Sequence, residues 1–218
     1  MNIRIEQDDC PESPREWDNL GRMVCMHRCY DLGDKHNYRA DQFSGWDGLR
    51  KELEQKEGAA VILPLFLFDH SGITMSCSSS HFRMVDSTGW DWGQVGFIYA
   101  RKEDILKESG KKCLSKKLLE KVEKILINEV KTYDQYLTGD VWGYIIEDDD
   151  GEHLKSCWGF FGHDYCCEQG AQGMVDYLEK QEKERAAKLL CVQAAMPCPE
   201  THDLPADQIL LAQRSRDT

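Results

Sequence analysis

The alternation of Ile3 and Ile5 with polar neighbours at the start of the chain predicts a first strand with one buried face. Further on, Ala60-Val-Ile-Leu-Pro-Leu-Phe-Leu-Phe68 is the most apolar run, too short for a helix that spans anything, and reads as a central strand. Pro64 removes one ladder donor, so an edge or a bulge is expected there. Asp69-His-Ser-Gly72 turns this strand into a second one over residues 73–76, forming a hairpin. Trp90-Asp-Trp-Gly93 leads into another strand over residues 94–100. Residues 141–146 and 154–161 read as a last hairpin around Asp148-Asp-Asp-Gly151, a turn composition that suits positive φ at Gly151.

The helical periodicity is clearest after Ser115. Leu118, Leu119, Val122, Ile125, Leu126, Tyr133 and Tyr136 recur on one face while Lys and Glu fill the other, which predicts a helix capped by Ser115 and ended by Gly139. A short helix over residues 102–109 precedes it. Asp41 or Ser44 caps another that runs to about Lys56 and stops at Gly58. A charged helix is expected from Cys166 to about residue 196, where Pro197 and Pro199 stop it. Residues 14–34, dense in aromatic and charged side chains without clean periodicity, read as structured loop with short pieces of strand or helix. The serine-rich stretch 77–86 reads as a loop.

The order β, loop, α, ββ, β, αα, ββ, α, with hairpins and few signs of parallel crossovers, predicts an α+β fold: a mostly antiparallel sheet, helices packed on one side, and a C-terminal helical extension. The expected division is a compact domain over residues 1–165, a charged helix over 166–196 and a disordered tail over 197–218, which has little to pack.

Composition narrows the function classes. With 41% hydrophobic residues in 218, the chain can bury a sizeable core. Its 39 acidic and 27 basic residues give a net charge of -12, which argues against a general grip on phosphate backbones and leaves direct nucleic-acid binding unexpected. Such a surface is ordinary solubility, or the imitation of DNA by an acidic inhibitor. The first residues lack a secretory pattern and no apolar stretch reaches the roughly 20 residues of a membrane span, so a cytoplasmic location with no membrane partner is expected. The ten cysteines are scattered, and free thiols are the default.

Few residue groups point to chemistry. Cys25, His27, Cys29, Asp34 and His36 form a candidate zinc site with Asp31, Asp69, His70 or His81 arriving from elsewhere, although the spacing is not that of standard structural sites. Without it no cofactor is expected, and the alternative is that the thiols pack and the imidazoles bond within a polar loop. Cys157, His163, Cys166 and Cys167 form a weaker cluster. Asp69-His70-Ser71 holds the three letters of a triad, but consecutive side chains diverge, and a turn explains them; Asp69 and His70 remain acid or base candidates. No glycine-rich phosphate cradle occurs. The most unusual set is aromatic and acidic: Trp17-Asp18, Trp46-Asp47, Trp90-Asp91-Trp92, Trp142 and Trp158. Such groups either plug a core or form a ligand cleft or protein hot spot. Trp17, Asp18, Asp69, His70, Trp90, Asp91, Trp92, Gln94 and Trp158 are the candidate contacts.

At Pro14-Arg-Glu-Trp-Asp-Asn-Leu-Gly21, Tyr30-Asp-Leu-Gly-Asp34, Leu65-Phe-Leu-Phe-Asp-His-Ser-Gly-Ile-Thr-Met75, Trp90-Asp-Trp-Gly-Gln-Val-Gly96, Lys131-Thr-Tyr-Asp-Gln-Tyr-Leu137 and Cys157-Trp-Gly-Phe160, the chain resembles a family of uncharacterised proteins carried by bacteriophages and conjugative elements. The resemblance covers residues 1 to about 165. Trp92 stands where that family usually has Ser, which counts against a role for a small hydroxyl there. The resemblance implies an accessory protein in the host cytoplasm, acting in counter-defence. The expectation is a non-enzymatic protein that binds a host protein or a small ligand through its aromatic-acidic surface, with self-association possible through the charged helix. The alternatives are a small metal-assisted hydrolase using Asp69 and His70 with His27, His36 or Asp34, and an acidic DNA mimic.

Overall fold

The computed structural model describes residues 1–195, and it is an α+β fold with antiparallel strands throughout. The chain divides into two units, Met1–Gly173 and Met174–Thr218. The strands of the first are β1 (Asn2–Gln7), β2 (Arg22–Cys25), β3 (Ala59–Asp69), β4 (Ile73–Ser76), β5 (Trp92–Arg101), β6 (Val141–Glu147) and β7 (His153–Phe161). Its helices are α1 (Gly45–Gln55), α2 (Ser80–Val85), α3 (Lys102–Ser109), α4 (Lys116–Thr138) and the short α5 (His163–Tyr165). A π-helical turn, Cys166–Ala171, follows, and α6 (Gln172–Ala195) enters the second unit. The expected stop at Pro197 and Pro199 and the expected tail lie outside the described residues.

Two sheets share the strands. One has the order β2-β5-β3-β4 and the other β1-β6-β7. β5 lies inside the larger sheet and is buried on both faces from Val95 to Ala100. Its period of two sends Ile98 and Ala100 into a core with Met23, Leu65, Leu67 and the apolar stripe of α4, namely Leu118, Val122, Leu126 and Val130. Phe97 and Tyr99 point the other way, onto Val24 of β2 and onto Leu49 and Leu53 of α1. Helices therefore cover both faces of this sheet, where coverage of one side was expected. Each fully buried aliphatic side chain contributes about 1.5–3 kcal/mol, so the α4 stripe is a main source of stability.

Local chemistry explains the element ends. Ser115 accepts a hydrogen bond from the Leu118 N–H at 3.2 Å and caps α4, and Gly139 ends it in the left-handed conformation. Pro64 sits where β3 has β5 on one side only, because β4 begins to pair at Phe66, and a register shift follows between Leu65 and Phe66. Both the expected edge and the expected bulge are present at that proline. Gly96 permits the β2–β5 pairing: a Cβ there would lie 1.8 Å from the Val24 carbonyl oxygen. The serine-rich stretch expected as loop contains α2, whose buried residue is Phe82. Cys166, Gly170 and Ala171 are buried within the first unit, and a Cβ on Gly170 would meet the Phe160 ring at 2.8 Å.

One polar network closes the loop before β2. The Arg15 side chain is 5% exposed and donates from Nε and Nη2 to the two Asp34 oxygens at 2.8 and 2.9 Å. Its Nη1 donates to Glu129 of α4 at 3.1 Å and its Nη2 to the Gly21 carbonyl at 2.7 Å. Glu129 also accepts the Leu20 and Gly21 N–H groups, and Asp34 accepts that of Met23. Burial would lower the Arg15 pKa, but the bonds and charges of Asp34 and Glu129 outweigh it and the value is raised.

Candidate functional site

The β3–β4 hairpin brings part of the aromatic-acidic set together. Asp69 pairs with Ile73, leaving His70, Ser71 and Gly72 as the loop. Ser71 has φ 59°, and the His70 N–H donates to the Gly72 carbonyl at 3.1 Å. The chain entering β5 lies beside this tip: Phe68 pairs with Trp92, and the Asp69 N–H donates to the Asp91 carbonyl at 2.7 Å. Asp91 Oδ2 then stands 3.0 Å from His70 Nδ1. The arrangement can orient an exposed imidazole. On the far side of the tip, the Tyr30 hydroxyl donates to Asp69 at 3.3 Å, and the Tyr30 ring stacks on His27 at 4.9 Å. The Asp69 carboxylate, foremost, and its hydrogen bond push the Tyr30 pKa up.

A carboxylate also organises the loop between α2 and β5. Asp86 Oδ1 accepts the Thr88 N–H at 2.9 Å and the Thr88 hydroxyl, and Oδ2 accepts the Asp91 N–H at 3.1 Å. The Thr88 hydroxyl leads these bonds in holding Asp86 at a pKa of about 2. Trp92 donates its indole N–H to the Asp86 carbonyl at 2.8 Å, meets the Phe66 ring edge-on at 6.3 Å, and lies under the Arg83 guanidinium at 5.8 Å. Trp92 is therefore a floor to this loop. Trp90 lies in the same loop and is 89% exposed, and Met84 at 80% and Val85 at 65% are exposed at the end of α2, where the loop begins.

The remaining candidates belong to other parts of the fold. Trp17 packs edge-on against Phe161 at 5.3 Å and, with Asp18, lines a cleft beside β2. Trp158 lies over Gly143 of β6, where a Cβ would come within 2.2 Å of its ring. Gln94 turns back on its own strand and donates to the Gly96 carbonyl at 3.2 Å. Trp46 packs against Phe97, and Trp142 donates to Asp140.

Most of the candidate zinc ligands are engaged elsewhere, Cys29 is an exposed free thiol, and the set does not converge. Cys25 is buried and its thiol is pushed up to about 12 by burial and by the Asp34 charge. His27 Nδ1 accepts the Cys29 and Tyr30 N–H groups, His36 Nε2 contacts the Cys25 carbonyl at 2.8 Å, and Asp34 holds Arg15. Among the described residues no three His, Cys, Asp or Glu side chains are placed to hold a metal ion. This withdraws the convergence of Asp69 and His70 with His27, His36 or Asp34 that a metal-assisted hydrolase requires. In the second cluster, Cys166 is buried while Cys157 is exposed, and Cys167 lies 3.8 Å from the His163 ring nitrogens.

Sequence reasoning missed the Tyr30–Asp69 contact, the anchoring role of Asp86 and the exposure of Met84 and Val85. Asp86-x-Thr88 is a local signal for a carboxylate-capped turn and was legible in principle. The 39-residue separation of Tyr30 and Asp69 left no such trace. Compared with family models, curated proteins and solved structures, the chain matches none. No helix among the described residues is long and apolar enough to cross a membrane.

Proposed function

We propose that the chain is a non-enzymatic binding protein that docks a host protein on the surface formed by Trp90, Met84 and Val85, with His70, Asp69 and Asp91 as its polar rim. The observation that carries this reading is the 89% exposure of Trp90 at the end of a loop whose base is fixed by Asp86 and Trp92. An indole, a thioether and a branched aliphatic side chain left in water together lose free energy that a partner recovers by covering them. Because the loop is already bonded at its base, docking orders little new backbone. Truncating a central Trp of this kind costs about 2 kcal/mol or more of binding energy.

The bacteriophage or conjugative-element setting comes from the motif resemblance, and with it the accessory, counter-defence role in a host cytoplasm. The acidic balance of the chain supports a partner with basic groups around its apolar pocket. The test compares proteins retained from bacterial extract by the wild type and by Trp90→Ala, after the two melting curves are matched. The reading expects at least one stoichiometric protein held by the wild type and lost by the variant. Turnover of a nucleotide or an ester by the purified chain would argue for an enzyme.

A further inference from the structure

A concavity in the first unit shares no residue with the Trp90 surface. It is an open cleft of about 910 Å³ lined by β2 at Arg22 and Val24, the end of α1, and the loop of residues 34–43, with Trp17 and Asp18 also in its lining. That volume lies within the range of small-molecule sites.

Its walls are fixed by bonds that a ligand need not supply. Arg15 clamps Asp34, His36 holds the Cys25 carbonyl, the Tyr38 N–H donates to His36 at 3.2 Å, and the Tyr38 hydroxyl donates to Glu57 at 2.9 Å. The cleft is thus preorganised although most of its lining is loop.

Its charges are balanced in a chain of net charge -12: Arg15, Arg22, Lys35 and Lys56 stand against Asp18, Asp34, Glu52 and Glu57. An anion repelled by most of this protein is not repelled here. The pairing inside the cleft goes further. Asp34 is satisfied by Arg15, Glu57 by Tyr38, and Glu52 by Lys56 at 2.6 Å. Arg22 reaches an acid, Asp104, only at 3.7 Å, and Lys35 lies exposed with no ion pair among the described residues. Asp18, next in the chain to Trp17, is the one acid of the eight charges with no such partner among the described residues. The groups not engaged within the cleft are thus two cations, Lys35 and Arg22, against one acid, Asp18, and the half-exposed Trp17 ring offers a stacking face in the same lining.

The geometry points to a binding site for a small organic anion that carries a flat ring, of the class of a nucleoside monophosphate, held by Lys35 and Arg22 and stacked on Trp17. No glycine-rich cradle is present, so side chains at an open mouth hold the anion and its affinity falls as salt rises.

The test is calorimetric titration of the full chain at low salt with the four common nucleoside monophosphates, and with inorganic phosphate and adenosine as partial probes. The expected result is saturable binding of at least one monophosphate, tighter than either partial probe. Lys35→Glu and Arg22→Glu, both at exposed positions, are each expected to weaken it about tenfold or more. Trp90→Ala is expected to leave it unchanged, which separates this site from the docking surface. The inference is overturned if no monophosphate binds saturably at millimolar concentration, or if the charge-reversed variants bind as the wild type does. Phosphate alone binding as tightly as the monophosphates would overturn the role of the ring.

Discussion

Replacing Arg15 by Met keeps most of the side-chain volume and removes the guanidinium, leaving Asp34 and Glu129 facing each other without the cation that joins them. Four hydrogen bonds are lost: two to Asp34, one to Glu129 and one to the Gly21 carbonyl. The Arg15 and Glu129 side chains are 5% and 12% exposed and that of Asp34 is 29% exposed, so water replaces little of this. Removing one partner of a buried charge network costs about 3–5 kcal/mol. For a unit of this size that corresponds to a fall in melting temperature of roughly 6–20 °C. The sign of its pH dependence follows from Glu129. Burial raises its pKa, and the Gly21 N–H and Arg15 pull it back. Without Arg15 the folded value rises further. A carboxyl whose folded pKa exceeds its unfolded one favours folding below the unfolded value and loses that contribution as pH rises through the folded value. The deficit of Arg15→Met is therefore expected to be larger near neutral pH than at about pH 5. Urea unfolding of wild type and variant at both pH values, followed by tryptophan fluorescence, measures it. A loss below about 1 kcal/mol at both pH values, the level of an exposed ion pair, would refute the reasoning.

Three further outcomes follow from the same geometry. Gly143→Ala places a Cβ 2.2 Å from the Trp158 ring, so the indole must leave β6; a cost of about 1–3 kcal/mol and a red-shifted Trp158 emission are expected, and unchanged emission would contradict the packing. Asp86→Asn removes the carboxylate, held at about 2, that fixes Thr88 and Asp91. A depressed carboxylate contributes stability above its unfolded pKa and loses it as pH falls through the folded value, so the variant is expected to be less stable at neutral pH and to converge with the wild type in strong acid. Faster exchange of the Trp92 indole proton reports the loosened loop. Alkylation of the folded chain at mildly basic pH is expected to label exposed Cys10, Cys29, Cys113 and Cys191 before Cys25 and Cys166, whose thiols burial pushes up to about 12 and about 11. Peptide mass spectrometry reads the order, and early labelling of Cys25 would contradict its burial.

Much of the fold was legible because it is encoded locally. α3 and α4 carry their periodicity and end signals in sequence, and the β3–β4 and β6–β7 hairpins carry their turns. The division into two sheets was not legible, because β1 pairs with β6 across most of the domain and no local pattern specifies a partner. α2 escaped because it buries Phe82 and leaves Met84 and Val85 in water, which removes the apolar stripe that marks a helix. The same misfit is what draws attention to it as a binding surface. In the candidate site, Trp90, Asp91, Trp92, Asp69 and His70 were grouped from their residue types, and the structure puts them side by side at one hairpin tip. What composition could not separate was the exposed Trp90 from Trp92, two residues on, which Phe66, Arg83 and Asp86 engage.

The central claim is that the Trp90 surface is covered by a host protein in the cell. A photoactivatable phenylalanine analogue in place of Met84, which is 80% exposed and belongs to the proposed surface, tests it directly when set against the same analogue at Lys116, whose side chain is 93% exposed on α4. After illumination of bacterial cells, a discrete adduct of one added protein mass from position 84, absent from position 116 and lost when Trp90→Ala is introduced, is the predicted result. Equal crosslinking from the two positions, or none from position 84, would contradict it.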